Sequence, residues 1–285
     1  MKQSSLMSDL ASFVRAHPRL FVLTGAGIST DSGIPDYRDD EGRWKRKSPV
    51  TLQEFLGSAA VRRRYWARSL IGWPVIAHAR PNAAHRALVR LEAAGRVQRL
   101  ITQNVDGLHQ RAGSADVVEL HGSLARVRCV DCGAECSRLD VQQRLEAANP
   151  WYRSLSAKIA PDGDADLDAA AFDAFEVPAC KQCGGILKPS VIFFGDSVPQ
   201  ERVDMTMRAL EEADAMLVVG SSLMIYSGYR FCEYAHRIGK PIAAINRGRT
   251  RAEHLFNVKV ERPCAESLLD LVRGLDSSGP WIEGP

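Results

Sequence analysis

Leu20-Phe21-Val22-Leu23-Thr24-Gly25-Ala26-Gly27-Ile28-Ser29-Thr30 opens on large apolar side chains and closes on small and polar ones. An apolar run of this length, stopped by a glycine turn, reads as a buried strand of a parallel sheet. Gly25 and Gly27 permit a tight turn directly after the strand and let backbone amides approach a pyrophosphate. The third glycine of the usual dinucleotide pattern is missing, since Thr30 occupies its place. Pro35 then follows where a dehydrogenase would continue a long helix. Taken alone, the turn fits either half of a dinucleotide loop or an ordinary strand-to-helix turn.

Working outward, further short apolar runs end in small or polar residues: Leu100–Thr102, Val117–Leu120, Val191–Phe194, Ala215–Val219 and Ile242–Ile245. Stretches with helical spacing, such as Ala83–Ala94 and Val203–Ala213, lie between several of them. Alternation of this kind predicts an α/β fold with a doubly wound, Rossmann-like parallel sheet. Two regions interrupt it, one rich in Arg and Trp from Asp39 to Arg80 and one rich in Cys from Gly122 to Gly185. The expected organisation is a large domain of residues 1–38, 81–121 and 186–285. A smaller helical and zinc-binding domain is formed by the insertions 39–80 and 122–185.

The 37 basic and 34 acidic residues leave a net charge of +3, too near balance to require nucleic acid or an acidic membrane as partner. No apolar run approaches the roughly 18 residues needed to cross a bilayer. The N-terminus lacks a signal-peptide core. A cytoplasmic location is expected, with no membrane partner. The oligomeric state is left open, a monomer being slightly favoured. The segment Ser277-Ser278-Gly279-Pro280 reads as a frayed tail.

Cys129-x-x-Cys132 and Cys180-x-x-Cys183 form two pairs whose bites suit one tetrahedral, structural Zn2+ per chain. Four thiolates fill that shell and leave no position for a catalytic water. Cys136 fits the pairing less well, while Cys232 and Cys264 read as small packed residues. The acidic run from Asp162 to Asp168 imitates the start of a calcium loop, but Leu167 stands where Gly is required, so a solvated acidic loop is the better account.

Polar clusters follow several strands. Gln103-Asn104-Val105-Asp106 comes after Thr102, at the carboxyl end where α/β folds bind ligands. Amides and a carboxylate there can orient a carboxamide and ribose hydroxyls. Asn104 and Asp106 could equally cap the next helix. Gly220-Ser221-Ser222 and Asn246-Arg247-Gly248 occupy comparable positions. His121 follows the run Val117–Leu120 and precedes Gly122, so its imidazole should sit at the mouth of the sheet. Near-neutral titration would suit it to general-base work.

The run from Gly25 through Gly33-Ile34-Pro35-Asp36-Tyr37-Arg38 resembles the NAD-binding signature of the sirtuin family, which usually has Phe at the place of Tyr37. The resemblance extends from Phe21 to about Val272. It implies NAD as co-substrate, bound through Gly25, Ala26, Gly27, Ile34, Asp36, Tyr37 and Arg38. It assigns Gln103 and Asn104 to the ribose region, and Asp106 with Ile34 to the nicotinamide pocket. Gly220, Ser221 and Ser222 correspond to phosphate contacts, Asn246 and Arg247 to the adenosine ribose, and Cys264 to a cysteine near the adenine. His121 corresponds to the catalytic base, with Asn104 beside it as a catalytic residue. The edge Val191, Phe193, Phe194 and Gly195 corresponds to the strand that pairs with an acyl-lysine peptide.

Within the family the resemblance is to the class II branch, that of the mitochondrial sirtuin four type and its bacterial relatives. It rests on Arg64–Arg68 with Gly72-Trp73-Pro74, on Ala160–Asp164, and on Val219–Ser222 running on to Tyr226–Phe231. Tyr65 and Arg68, three apart on one helical face, match a Tyr and Arg that hold an acyl carboxylate in desuccinylating sirtuins. Packing or surface pairing of the two is the other reading.

The implied function is NAD-dependent protein lysine deacylation, removing acetyl or longer or acidic acyl groups and releasing nicotinamide and O-acyl-ADP-ribose. Protein ADP-ribosyl transfer would need the same glycosidic cleavage. A zinc-ribbon binding module, the non-enzymatic alternative, leaves the glycine loop and strand-end clusters unexplained.

Overall fold

A computed structural model of the chain describes residues 2–45, 49–154 and 172–276. Helix α1 (Lys2–Ala16) precedes strand β1 (Leu20–Thr24). Helices α2 (Leu52–Gly57), α3 (Ala59–His78) and α4 (Ala83–Ala93) lead to β2 (Val97–Thr102). Helix α5 (Leu108–Ala112) and β3 (Val117–Glu119) follow. The chain then runs through β4 (Gly122–Cys129), β5 (Glu135–Ser137), α6 (Arg138–Ala148) and β6 (Leu187–Val191). It continues with α7 (Gln200–Glu212), β7 (Ala215–Val219), α8 (Tyr226–Arg237), β8 (Ile242–Ile245), β9 (Val258–Val260) and α9 (Cys264–Asp276).

Six strands pair in the order β3-β2-β1-β7-β8-β9, every pair parallel. The winding reverses between β1 and β7, and a crevice forms at the carboxyl ends of strands where it does so. All residues of β1 and β7 are buried, because helices cover both faces. Continuous apolar runs, rather than alternating ones, are what such strands require. Val22 and Leu217 pack toward Leu10, Leu88 and Leu271 on one face. Phe21 and Met216 pack toward Leu210 and Phe231 on the other.

A second sheet, β5-β4-β6, is antiparallel and has its own apolar core around Trp66, Val127, Val141, Leu145 and Tyr152. Arg138 is fully buried there, its guanidinium 4.6 Å from the Trp73 ring and donating to the Ser69 hydroxyl. The run Val191–Phe194, expected as a strand of the main sheet, lies elsewhere. Its strand, β6, belongs to the small sheet and ends at Val191. Gly195 takes a left-handed φ of 76° and the Asp196 amide donates to the Phe193 carbonyl, turning the chain. Pro189 is tolerated in β6 because that strand is an edge. The acidic run 162–168, the stretch 160–164 and the tail 277–280 lie outside the described residues. Among the described residues, no helix is long and apolar enough to cross a membrane.

Candidate active site

A cleft of about 1110 Å³ opens at the switch point and runs to the edge of the small sheet. Its lining includes every residue assigned above to NAD: Gly25, Ala26, Gly27, Ile34, Asp36, Tyr37, Arg38, Gln103, Asn104, Asp106, Gly220, Ser221, Ser222, Asn246, Arg247 and Cys264. His121, Tyr65, Val191, Phe193, Phe194 and Gly195 line it too. Arg68 does not. Ligand pockets commonly span about 300–1,000 Å³, so this cleft has room for a dinucleotide with an acyl-lysine side chain.

The glycine loop is interlocked with the loop after β7. The Gly27 amide donates to the Gly220 carbonyl at 2.9 Å. A Cβ on Gly25 would stand 2.8 Å from Gly220 O, and Gly220, at φ 63°, would bring a Cβ to 2.4 Å from Ile28 N. No long helix follows the loop; two short 3-10 turns, 26–28 and 30–32, replace it. Leu223 is buried at φ 57°, a conformation costly for a residue with a Cβ and found in functional loops.

Behind the loop, Ser29 is fully buried and donates to Asp106 Oδ2 at 2.8 Å, while Asn104 Nδ2 donates to Ser29 Oγ and to the Gly25 carbonyl. Asp106 Oδ1 also accepts from the Leu108 amide, so one carboxylate both starts α5 and faces the cleft. Burial pushes the Asp106 carboxyl above its ordinary range. Gln103 Nε2 donates to Ser221 Oγ at 2.8 Å, tying the β2 and β7 loops together.

His121 Nδ1 lies 2.8 Å from the Gln103 carbonyl and Nε2 lies 2.7 Å from Ser227 Oγ. A carbonyl only accepts, so Nδ1 carries the proton and Nε2 presents its lone pair. Near-neutral titration does not hold for this residue: burial lowers it to about 4, and the charges of Arg202 and Arg230 act in the same direction. The imidazole is therefore neutral at physiological pH. Gly122, at φ 80°, lets the chain enter β4 from His121; a Cβ there would stand 2.1 Å from Ser190 O. The His-Gly pair thus has a steric cause.

Toward the small sheet, the Tyr65 ring packs 5.3 Å from both Phe55 and Phe193, walling the cleft. Phe193 is buried by these rings. Burial pushes the Tyr152 phenol up to about 12, and the charge of Arg68 only partly opposes that shift. Trp44, which the sequence reading did not single out, stands between Tyr37 and Phe194 at 6.0 and 5.5 Å, with the Arg38 guanidinium 4.0 Å over its ring. Ser29 and Ser227 were also missed, although both lie inside quoted stretches. Their partners are 77 and 106 residues away in the chain, and no local pattern marks such pairs.

The thiol sulfurs of Cys129, Cys132, Cys180 and Cys183 lie within 4.8 Å of one another, with pairs at 3.5 and 3.8 Å. A zinc with Zn–S bonds of about 2.3 Å needs tetrahedral edges of about 3.8 Å, so the four fit the ion. Gly133 and Gly184, both left-handed, close the turn after each pair. Backbone amides of Cys183 and Gln182 draw the Cys180 thiol down to about 7. Cys136 lies outside this cluster, in β5. Cys264 is both packed in the main core and a cleft residue.

The cleft at the switch point places the chain among dinucleotide-binding α/β proteins. Within that class it belongs to the Sir2, or sirtuin, family, whose pattern matches residues 25–227. A protein of Xanthomonas campestris pv. campestris (strain 8004), named NAD-dependent protein deacetylase, is 60% identical over 259 residues, 91% of this chain and 88% of the relative. A Bordetella bronchiseptica protein of the same name is 57% identical over 271 residues, 94% of this chain and 99% of the relative. Among solved structures, a Sir2 homolog in complex with NAD matches with a TM-score of 0.73 at 28% identity, over 95% of this chain and 94% of that one. A Sir2 complex with a p53 peptide and NAD+ matches equally, over 96% and 98%.

Proposed function

We propose that this chain is an NAD-dependent protein lysine deacylase in which His121 is the catalytic base. Membership of the Sir2 family and the deacetylase names of relatives at 57–60% identity support the reaction class. The observation that carries the residue assignment is the geometry of His121, its tautomer fixed by the Gln103 carbonyl and its ring lining the cleft together with the glycine loop.

NAD, when bound, would supply a ribose whose carbon exchanges nicotinamide for the acyl oxygen and whose hydroxyl ends up carrying the acyl group as O-acyl-ADP-ribose, with water consumed as the lysine amine is freed. The chain's own groups do the rest. The glycine loop and Ser221 hold the phosphates at the switch point. Asp106 and Ile34 form the nicotinamide end, and Asn104 holds the loop above it through the Gly25 carbonyl. His121 Nε2 takes a ribose hydroxyl proton. Phe193, Phe194 and Gly195 receive the acyl-lysine peptide. Cys129, Cys132, Cys180 and Cys183 would hold zinc away from the cleft, as a structural ion.

Tyr65 supplies an aromatic wall for the acyl chain, while Arg68 brings no charge to the described lining. Acetyl and other uncharged acyl groups are therefore the expected substrates. Placement in the class II branch rests on Tyr226–Phe231 and on the Tyr65 helix. The division into residues 1–38, 81–121 and 186–285 against 39–80 and 122–185 is supported by two sheets with separate cores, except that β6 (Leu187–Val191), counted with the large domain, pairs in the small sheet. Paired thiols kept reduced for zinc suit a cytoplasmic site.

The test is a panel of acetyl-, succinyl- and glutaryl-lysine peptides with NAD, read by mass spectrometry. Free lysine, nicotinamide and O-acyl-ADP-ribose in equal amounts are expected, with acetyl-lysine preferred. ADP-ribose accumulating on protein would point to transfer instead. Faster turnover of succinyl-lysine would return Arg68 to the pocket. Failure to bind NAD in calorimetry would overturn the enzyme reading altogether.

A further inference from the structure

The base is part of a closed ring of contacts that reaches across the cleft. Gln103 accepts the Nδ1 proton of His121 through its backbone carbonyl. Its side chain lies against Gly228, where a Cβ would stand 2.3 Å from Gln103 Oε1. Ser227, the residue before Gly228 in the first turn of α8, places its hydroxyl 2.7 Å from His121 Nε2. With the Nδ1 proton committed to the carbonyl, Nε2 has no hydrogen, so the serine hydroxyl is the donor. The single lone pair through which His121 would act is thereby occupied by the protein itself.

We propose that Ser227 is a positioning residue for the base: its hydroxyl holds the His121 lone pair in the NAD-free protein and yields it to the ribose hydroxyl of bound NAD. This rests on His121 being the base. The serine keeps the ring in one tautomer and one orientation before the co-substrate arrives, and its O–H is replaced by another O–H of the same geometry, so the lone pair always meets a hydroxyl. Arg202 from α7 and Arg230 from α8 are the charged groups that act on the ring; neither can accept a proton from it. Donation by Ser227 favours the neutral imidazole, in the same sense as burial.

Ser227→Ala and Ser227→Thr test this in the full-length protein with acetyl-lysine peptide and NAD. For the alanine variant, kcat/KM for NAD should fall by about tenfold, or about 1.4 kcal/mol, because the NAD-free protein no longer holds the ring in its productive orientation. The acidic limb of its kcat/KM profile should move upward toward the ordinary histidine range, and the His121 imidazole resonance should titrate with it. Ser227→Thr retains the hydroxyl and should restore both. An alanine variant with unchanged kcat/KM and unchanged acidic limb would overturn the proposal. Equal losses in both variants, at unchanged melting temperature, would also overturn it by showing that shape rather than the hydroxyl matters. His121→Ala serves as the control: if it retains acyl transfer, the base assignment itself fails and the role of Ser227 falls with it.

Discussion

Ser29 is a hydroxyl with no access to solvent, held between the Asn104 amide and the Asp106 carboxylate. A buried polar group of this kind is stabilising only while its partners remain. Ser29→Ala should lower unfolding free energy by about 1–3 kcal/mol in urea titration and reduce kcat/KM, because Asp106 loses the donor that offsets its burial. Unchanged stability and turnover would mean that the network is not coupled to the site. His121 was legible at this scale from its place after a strand and before a glycine. Its titration was not, since the burial that lowers it depends on α8, packed from a segment more than a hundred residues later. What covers Phe193 was hidden for a related reason: the rings that pack on it, Phe55 and Tyr65, come from α2 and α3.

Among the elements, β1 and β7 were legible because a strand covered on both faces is apolar throughout. The strand β9 was not foreseen, having only the three residues Val258-Lys259-Val260 to show. Nor was β4 anticipated, because its alternation of buried and exposed positions is irregular where its pairing with β6 shifts register. The four cysteines could be read from spacing alone, since the paired bites encode the ion's geometry. The packing of the glycine loop against the turn after β7 could not, as it depends on backbone meeting backbone. Gly220→Ala should be among the most damaging single-methyl changes in the chain. Its left-handed backbone and a Cβ 2.4 Å from Ile28 N both oppose it. A loss of about 2–4 kcal/mol in denaturant unfolding is expected, with weaker NAD binding by calorimetry. A stable variant with normal affinity would show that the loops can part without cost.

At the scale of the whole molecule, three histidines are held in the neutral form, the buried His85 and His109 and the half-buried His121. Burial lowers His85 and His121 to about 4 and His109 to about 3. In the unfolded chain each returns to about 6.5, so between pH 6.5 and 4 the unfolded state binds protons that the folded state refuses. Stability is complete above about pH 6.5 and is lost as the pH falls toward 4, by about 1.4 kcal/mol per pH unit for each such histidine. Urea midpoints should therefore drop steeply from pH 6.5 to pH 5, and His85→Asn should flatten that slope; a level midpoint over the same range would contradict the buried assignment. The short link Leu120-His121-Gly122 joins the two sheets. The Leu120 amide donates to Thr102 in the main sheet, and the His121 carbonyl accepts from Ile192 at the end of the small one. The imidazole is therefore anchored by backbone from both sheets at once, so a change in the packing of either one is felt directly at its ring.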